Sequence, residues 1–146
     1  MIKAEVNQNI LSGAHRLSTR TLAKILRLVS QKTQPHKDFQ VSLAFVSPAR
    51  IKILNRDYRG QNRVTDVLSF AFQKASSAQA DQLLGEILIC YPQAKKNAQA
   101  DGLPVQQEIN RLIIHGLLHL FGFQHHTAKK AEQMFKLQEQ ILNQIV

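Results

Sequence analysis

The first half of the chain alternates short apolar segments of strand period with one segment of helical period. Residues 2–6 alternate well enough to predict a first strand. Ser18 is then placed as the N-cap of a helix. The apolar positions of that helix lie on one face: Leu22, Ile25, Leu26 and Val29.

Two further elements follow in the same order, a strand and then a helix. Val41, Leu43 and Phe45 alternate with smaller residues, as a strand with one buried face does. Ser47-Pro48 supplies an N-cap followed by a proline at the first helical position, so we expect a second helix that ends at about Tyr58.

Two apolar segments in the middle of the chain are rich in β-branched and aromatic residues. They run from Val64 to Phe72 and from Leu84 to Tyr91, and each predicts a strand. Residues 73–82 between them are small and polar without periodicity, which predicts a loop.

The last third of the chain has helical signals only. Pro92 to Ala100 predicts a short helix, and Pro104 opens a longer one whose apolar residues cover most of its circumference, as in a buried helix. Gly122 ends that helix, and Thr127 is placed to cap a last one. The predicted apolar positions of the last helix are Ala131, Met134, Phe135, Ile141, Leu142 and Ile145.

This order of elements favours the α+β class. We expect a small mixed sheet of about four strands packed with about five helices, with a metal site on the central buried helix. The 146 residues suit one domain, 1–146, because folding at this length buries a core without disulfides.

The composition of the chain bears on its expected cellular location and on its expected binding partners. The single cysteine cannot form an internal bridge, and the first ten residues lack the regions of a secretory signal, so we expect a cytoplasmic protein. No apolar run approaches the roughly 20 residues that span a bilayer. The net charge of +9 makes nucleic acid a plausible partner, although charge that serves only solubility would look the same.

Three histidines carry the candidate chemistry. His115 and His119 are four residues apart on the predicted buried helix, so both imidazoles lie on one face. His125 follows the helix-ending glycine and can fold back to supply a third nitrogen. Three protein ligands leave one position open, which is typical of a catalytic zinc site, and nickel or another divalent metal would accept the same ligands. We expect the adjacent His126 to be exposed.

Two other interpretations of this motif stay open. A lone histidine on an apolar helix is usually a core residue, but three at this spacing argue against that. The register equals that of the metzincin peptidases, whose general base follows the first histidine, whereas here Gly116 stands at that position. Met134 suggests no methionine turn. A zinc metallopeptidase is therefore the second hypothesis.

Two sequence blocks also resemble a known family. HGLLHLFGFQHH is similar to the histidine signature of the YbeY endoribonucleases, and NRDYRGQNRVTDVLSFAF resembles the other hallmark block of that family. The resemblance to the family extends to two further segments, LGEILICYPQAKKNA and the C-terminal KKAEQMFKLQEQIL. It therefore covers most of the chain from about residue 41 onward.

The resemblance implies a metal-dependent, single-strand-specific endoribonuclease that matures the 3′ end of small-subunit ribosomal RNA and takes part in ribosome quality control. Its partners would be ribosomal RNA and the ribosome or its small subunit. His115, His119 and His125 match the zinc ligands of the family, and Arg59 matches an arginine associated with activity. Phe123-Gln124 replaces the usual Tyr-Asp, which removes a carboxylate near the site.

Arg59 also has a physical case, because a guanidinium offers paired donors to phosphate oxygens. For Asp66 and Ser69 we favour structural roles, Glu86 is less certain, and Cys90 is expected to be buried. The attacking nucleophile is a water or the 2′-hydroxyl of the RNA. A third hypothesis is a non-catalytic ribosome assembly factor with a structural metal.

Overall fold

A computed structural model describes residues 1–78 and 81–145. Its strands are β1 (Ile2–Asn7), β2 (Phe39–Phe45), β3 (Val67–Ala71) and β4 (Leu83–Ile89). Its helices are α1 (Thr19–Thr33), α2 (Pro48–Arg59), α3 (Tyr91–Ala100), α4 (Val105–Leu120) and α5 (Ala128–Asn143), with one 3₁₀ turn at Gly13–His15. The described residues thus form the predicted α+β fold with a four-stranded sheet.

The sheet is mixed and has the order β1-β2-β4-β3. β1 pairs with β2 and β2 with β4 in parallel, whereas β3 runs antiparallel to β4 at one edge. Helices cover both faces. α1, α4 and α5 contribute to the main core on one face, and α2 packs on the other through a small cluster of Ile51, Leu68, Leu88 and Cys90.

The three predicted N-caps are confirmed, because each side-chain oxygen accepts a hydrogen bond from the backbone three residues later. The donors are Thr21 N to Ser18, Arg50 N to Ser47 and Lys130 N to Thr127, at 3.2–3.3 Å. α4 is the buried helix that its pattern predicts, with ten of its sixteen residues buried.

Three element predictions are corrected. Val64 to Asp66 do not belong to β3, because the buried Asn55 amide donates to the Arg63 carbonyl (3.0 Å) and holds this segment as a loop. Tyr91 opens α3 rather than ending β4. Phe135 is 62% exposed, so it does not belong to the buried face of α5.

The predicted loop 73–82 does lie between β3 and β4, although residues 79–80 fall outside the described ranges. Within those ranges, no helix combines the length and apolarity needed to cross a membrane.

Candidate metal centre

A cleft of about 770 Å³ lies between the edge strand β3 and the C-terminal half of α4. β3 forms one wall of the cleft through Val67, Leu68, Ser69 and Ala71. The side chains of Leu68 and Phe70 pack in the cluster on the α2 face, so the alternate positions face the cleft. The cleft is also lined by the polar residues that the sequence singled out: Arg59, His115, His119, Gln124, His125 and His126.

The end of α4 explains how the third histidine reaches the cleft. Gly122 adopts φ +98°, a conformation that a residue with a side chain rarely adopts. Its N–H donates to the His119 carbonyl and the N–H of Phe123 donates to the Leu118 carbonyl, both at 3.1 Å. This pair of bonds is a Schellman motif, which reverses the chain and returns His125 toward the helix that it has just left.

The rings of the three histidines lie close together beside this turn. The ring centre of His125 lies 6.1 Å from those of His115 and His119, with planes inclined by only 26° and 25°. Two imidazoles on one zinc ion place their centres roughly 5–6 Å apart. The rings are therefore slightly splayed, and no three side chains of this kind surround a single point within the described ranges. Three imidazoles are nevertheless a donor set that suits zinc in its chemistry.

His115 is held by a residue that the sequence did not single out. Its Nδ1 lies 2.8 Å from Oε1 of the buried Gln138 on α5, whose Nε2 donates to Glu139 (3.2 Å). Burial alone would raise the pKa of Glu139, but hydrogen bonds from Arg111 and Gln138 bring this pKa below its usual value. Because the ionised carboxylate only accepts, Gln138 must present its oxygen to His115, so Nδ1 carries the proton and Nε2 is left as a lone-pair donor.

His119 is half-buried, and its environment favours the neutral imidazole. Burial is the largest cause that lowers its pKa, followed by the charges of His115, His125 and Arg59. Its Nδ1 is buried without a hydrogen-bond partner in the described part of the chain. A neutral imidazole can offer a nitrogen lone pair to a metal ion.

Arg59 is the last residue of α2, and Gly60 follows it at φ +70°. Its Nη2 donates to the Ser69 carbonyl at 2.6 Å, and its guanidinium carbon lies 5.5 Å from the Phe70 ring centre. The bond to Ser69 engages one of five guanidinium N–H groups. The structure therefore places Arg59 at the cleft, beside the edge strand, with donors available to a ligand.

The secondary candidates separate into different regions. Asp66 accepts from the Asn97 side chain (3.1 Å), which agrees with the structural role that we favoured. Cys90 is fully buried as expected, and burial raises the pKa of its thiol. Ser69 lines the cleft, whereas Glu86 accepts from Ser42 (3.1 Å) and faces the opposite side of the sheet.

Gly116 lies against the sheet and is not among the residues that line the cleft. A Cβ at this position would lie 2.9–3.1 Å from the side-chain carbons of Ile87 on β4, so the glycine lets α4 approach the sheet closely. Any longer side chain here would meet the buried Ile87 side chain. Sequence spacing shows which residue follows His115 but not the direction of its side chain.

The fold and the cleft define an α+β protein with a histidine- and arginine-lined groove beside a sheet edge. Residues 3–146 match the family model described as Endoribonuclease YbeY. The chain therefore belongs to the YbeY endoribonuclease family.

Curated relatives and a solved structure agree with this assignment. The chain is 37% identical over 129 residues to endoribonuclease YbeY of Geobacillus thermodenitrificans, covering 84% of this chain and 83% of that protein. It is 41% identical over 107 residues to the Persephonella marina YbeY, covering 73% and 70%. A solution structure from Thermotoga maritima matches with a TM-score of 0.64 at 27% identity, over 99% of this chain and 89% of that one.

Proposed function

We propose that this chain is a metal-dependent, single-strand-specific endoribonuclease that matures the 3′ end of small-subunit ribosomal RNA and participates in ribosome quality control in the cytoplasm. One observation carries the choice of substrate: none of the described residues lining the cleft is Asp or Glu, whereas Arg59 and Lys74 are both present. Such a cleft attracts a phosphodiester. It also lacks the carboxylate that serves as general base in metzincin-type peptidases.

His115, His119 and His125 would hold one zinc ion, with nickel or another divalent metal as the alternative. When bound, the ion would act as a Lewis acid and acidify a water at its open position. In the neutral form of His115, the Gln138 hydrogen bond places the proton on Nδ1 and the lone pair on Nε2. The lowered pKa of His119 favours the neutral ring, which can offer a lone pair to a cation.

Arg59 would hold the scissile phosphate. Its free guanidinium N–H groups can donate to two phosphate oxygens at once and stabilise the charge that grows on them during transfer. The bond to the Ser69 carbonyl fixes the guanidinium before the substrate arrives, so little side-chain entropy remains to be lost on binding.

A cleavage assay separates this proposal from its two alternatives. Purified protein is incubated with labelled single-stranded RNA, with the corresponding duplex and with casein, each with and without a chelator. We expect chelator-sensitive cleavage of the single-stranded RNA alone. Cleavage of casein would identify a peptidase, and RNA binding without cleavage would identify an assembly factor with a structural metal.

The products also identify the nucleophile. Attack by the 2′-hydroxyl of the RNA leaves a 2′,3′-cyclic phosphate, whereas attack by water leaves a linear phosphate on one fragment. Mass spectrometry of the fragments distinguishes the two routes.

A further inference from the structure

A second groove, of about 610 Å³, lies on the opposite face of the sheet from the cleft, between α2 and the outer strands. We call it the aromatic groove. It is lined by three aromatic residues, two of them strongly exposed: Tyr58 (68%), Phe72 (57%) and the half-buried Phe70. The Tyr58 and Phe70 rings meet edge to face, with centres 5.5 Å apart and planes at 68°.

The aromatic groove and the histidine-lined cleft are separated only by the edge strand β3. Side chains alternate along this strand, so Ser69 faces the cleft while Phe70 faces the groove. Ala71 lines both. Arg59 lies at the cleft with its guanidinium 5.5 Å from the Phe70 ring, and it therefore connects the two surfaces.

The charges of the groove favour a nucleobase over a phosphate as its occupant. Glu86 lies among the lining residues and would repel a phosphate, but its carboxylate can accept from the amino group of a base. Cations stand at the margins, with Arg50 in the lining and Arg59 at the edge strand. An RNA strand could place its phosphates near the arginines and its bases against the aromatic rings. It would then match both the charged and the aromatic residues of the groove.

We infer that the aromatic groove is a base-stacking subsite of the nuclease. An RNA strand crossing β3 places its scissile phosphate at Arg59 and stacks one or two flanking bases on Tyr58 and Phe72. Only unpaired bases present a free face to these rings, because the bases of a duplex are stacked on one another. The inference rests on the proposed function and gives the preference for single strands a physical cause.

Binding measurements in the presence of a chelator test the subsite without depending on cleavage. Tyr58→Leu and Phe72→Leu, alone and combined, remove the π faces while keeping apolar bulk, and Phe70 is left intact because it packs against the small core cluster. Phe135→Leu is the matched control, since Phe135 is 62% exposed on α5 and lines neither groove.

Each stacked base that is lost should weaken affinity for single-stranded RNA by roughly five- to a hundredfold. Affinity for the duplex, and for an oligonucleotide abasic at the flanking positions, should stay within about twofold in all variants. An unchanged single-strand affinity in the double variant, or an equal loss on the abasic oligonucleotide, would overturn the inference. Normal stacking in a protein that cleaves no RNA would instead contradict the proposed function alone.

Intrinsic fluorescence supplies a second readout. The chain has no tryptophan and two tyrosines, and Tyr91 is buried against His15 with ring centres 4.8 Å apart. Added single-stranded RNA should quench tyrosine emission in the wild type but not in Tyr58→Leu. Equal quenching in the wild type and in Tyr58→Leu would show that no RNA base stacks on Tyr58.

Discussion

At the scale of single residues, the three clustered histidines make a direct prediction about metal content. Replacement of His115, His119 or His125 by Ala should lower bound metal and RNA cleavage together, because each would supply one of the three proposed protein ligands. Elemental analysis of each purified variant, alongside the cleavage rate, measures both quantities.

His126 is the internal control for this experiment. It lines the same cleft and its ring centre lies 6.2 Å from that of His125, but two adjacent side chains do not easily aim at one ion. His126→Ala should keep nearly wild-type metal. Equal metal loss in this variant would mean that the wrong member of the pair was chosen, and full occupancy in the other three would remove the site.

Arg59 gives the second residue-scale prediction. Arg59→Ala should keep the fold and the metal but lose roughly a hundredfold or more in cleavage rate, as when one preorganised donor is removed from an active site. Arg59→Lys should recover only part of this, because an ammonium lacks the planar fork. Rates, metal content and melting temperature are measured on the same preparations.

Two outcomes would contradict the proposed contact between Arg59 and the phosphate. Wild-type cleavage by Arg59→Ala would reduce the arginine to surface charge, and full recovery by Arg59→Lys would indicate a bulk electrostatic role instead of a bidentate contact.

At the scale of elements, α5 contacts α4 at the candidate metal site, where Gln138 of α5 forms a hydrogen bond with His115 of α4. Gln138→Leu removes the acceptor that holds Nδ1 of His115 at 2.8 Å, and loss of such a partner typically costs 10- to 100-fold in metal affinity. Gln140→Leu, an exposed position on the same helix, is the control. Competition with a chromophoric chelator measures both affinities, and equal values would show that Gln138 has no part in positioning the ligand.

The close approach of α4 to β4 makes a stability prediction. Gly116→Ala gains roughly 1 kcal/mol of helix propensity, but the added carbon would lie 2.9 Å from a buried Ile87 side chain, and overpacking costs about 1–3 kcal/mol. We expect a net loss of about 1 kcal/mol in the free energy of unfolding by urea. Ile87→Val removes the nearest atom and should restore part of it; a Gly116→Ala protein as stable as wild type would show that α4 can move outward freely.

Elements that depend on local chemistry were predicted well. Ser18, Ser47 and Thr127 cap their helices because an N-cap requires only residues three positions apart, and Gly122 ends α4 for a similarly local reason. Contacts between distant segments were missed. The bond from Asn55 to Arg63 shortens β3, and that from Gln138 to His115 joins residues 23 positions apart. Neither leaves a periodic signal in the sequence.

At the scale of the whole molecule, the strand order could not be read from hydrophobic periodicity, because periodicity marks the buried face of a strand but not its neighbours. The position of β3 at the sheet edge is what opens the cleft beside it. The histidine cluster could be expected from sequence spacing, whereas its wall of alternating β3 residues could not.

The net charge of +9 makes a prediction for the molecule as a whole. Affinity for single-stranded RNA should fall steeply with salt, with a log-log slope of about −0.7 for each phosphate contact. Several contacts would give a slope of about −2 or steeper. Filter binding across a salt series measures it, and a flat profile would assign the charge to solubility alone.

The bond from Arg59 to the Ser69 carbonyl has a consequence for self-association. The outer side of β3 is not paired with another strand among the described residues, and such an edge is a template for the strand of another molecule. Arg59 occupies one carbonyl of that edge and brings a positive charge to it, so two copies that approached edge to edge would bring two arginines together. The residue assigned to hold phosphate would thus also keep the protein from pairing through β3, and dilute and concentrated solutions of Arg59→Ala should differ in oligomeric state by light scattering.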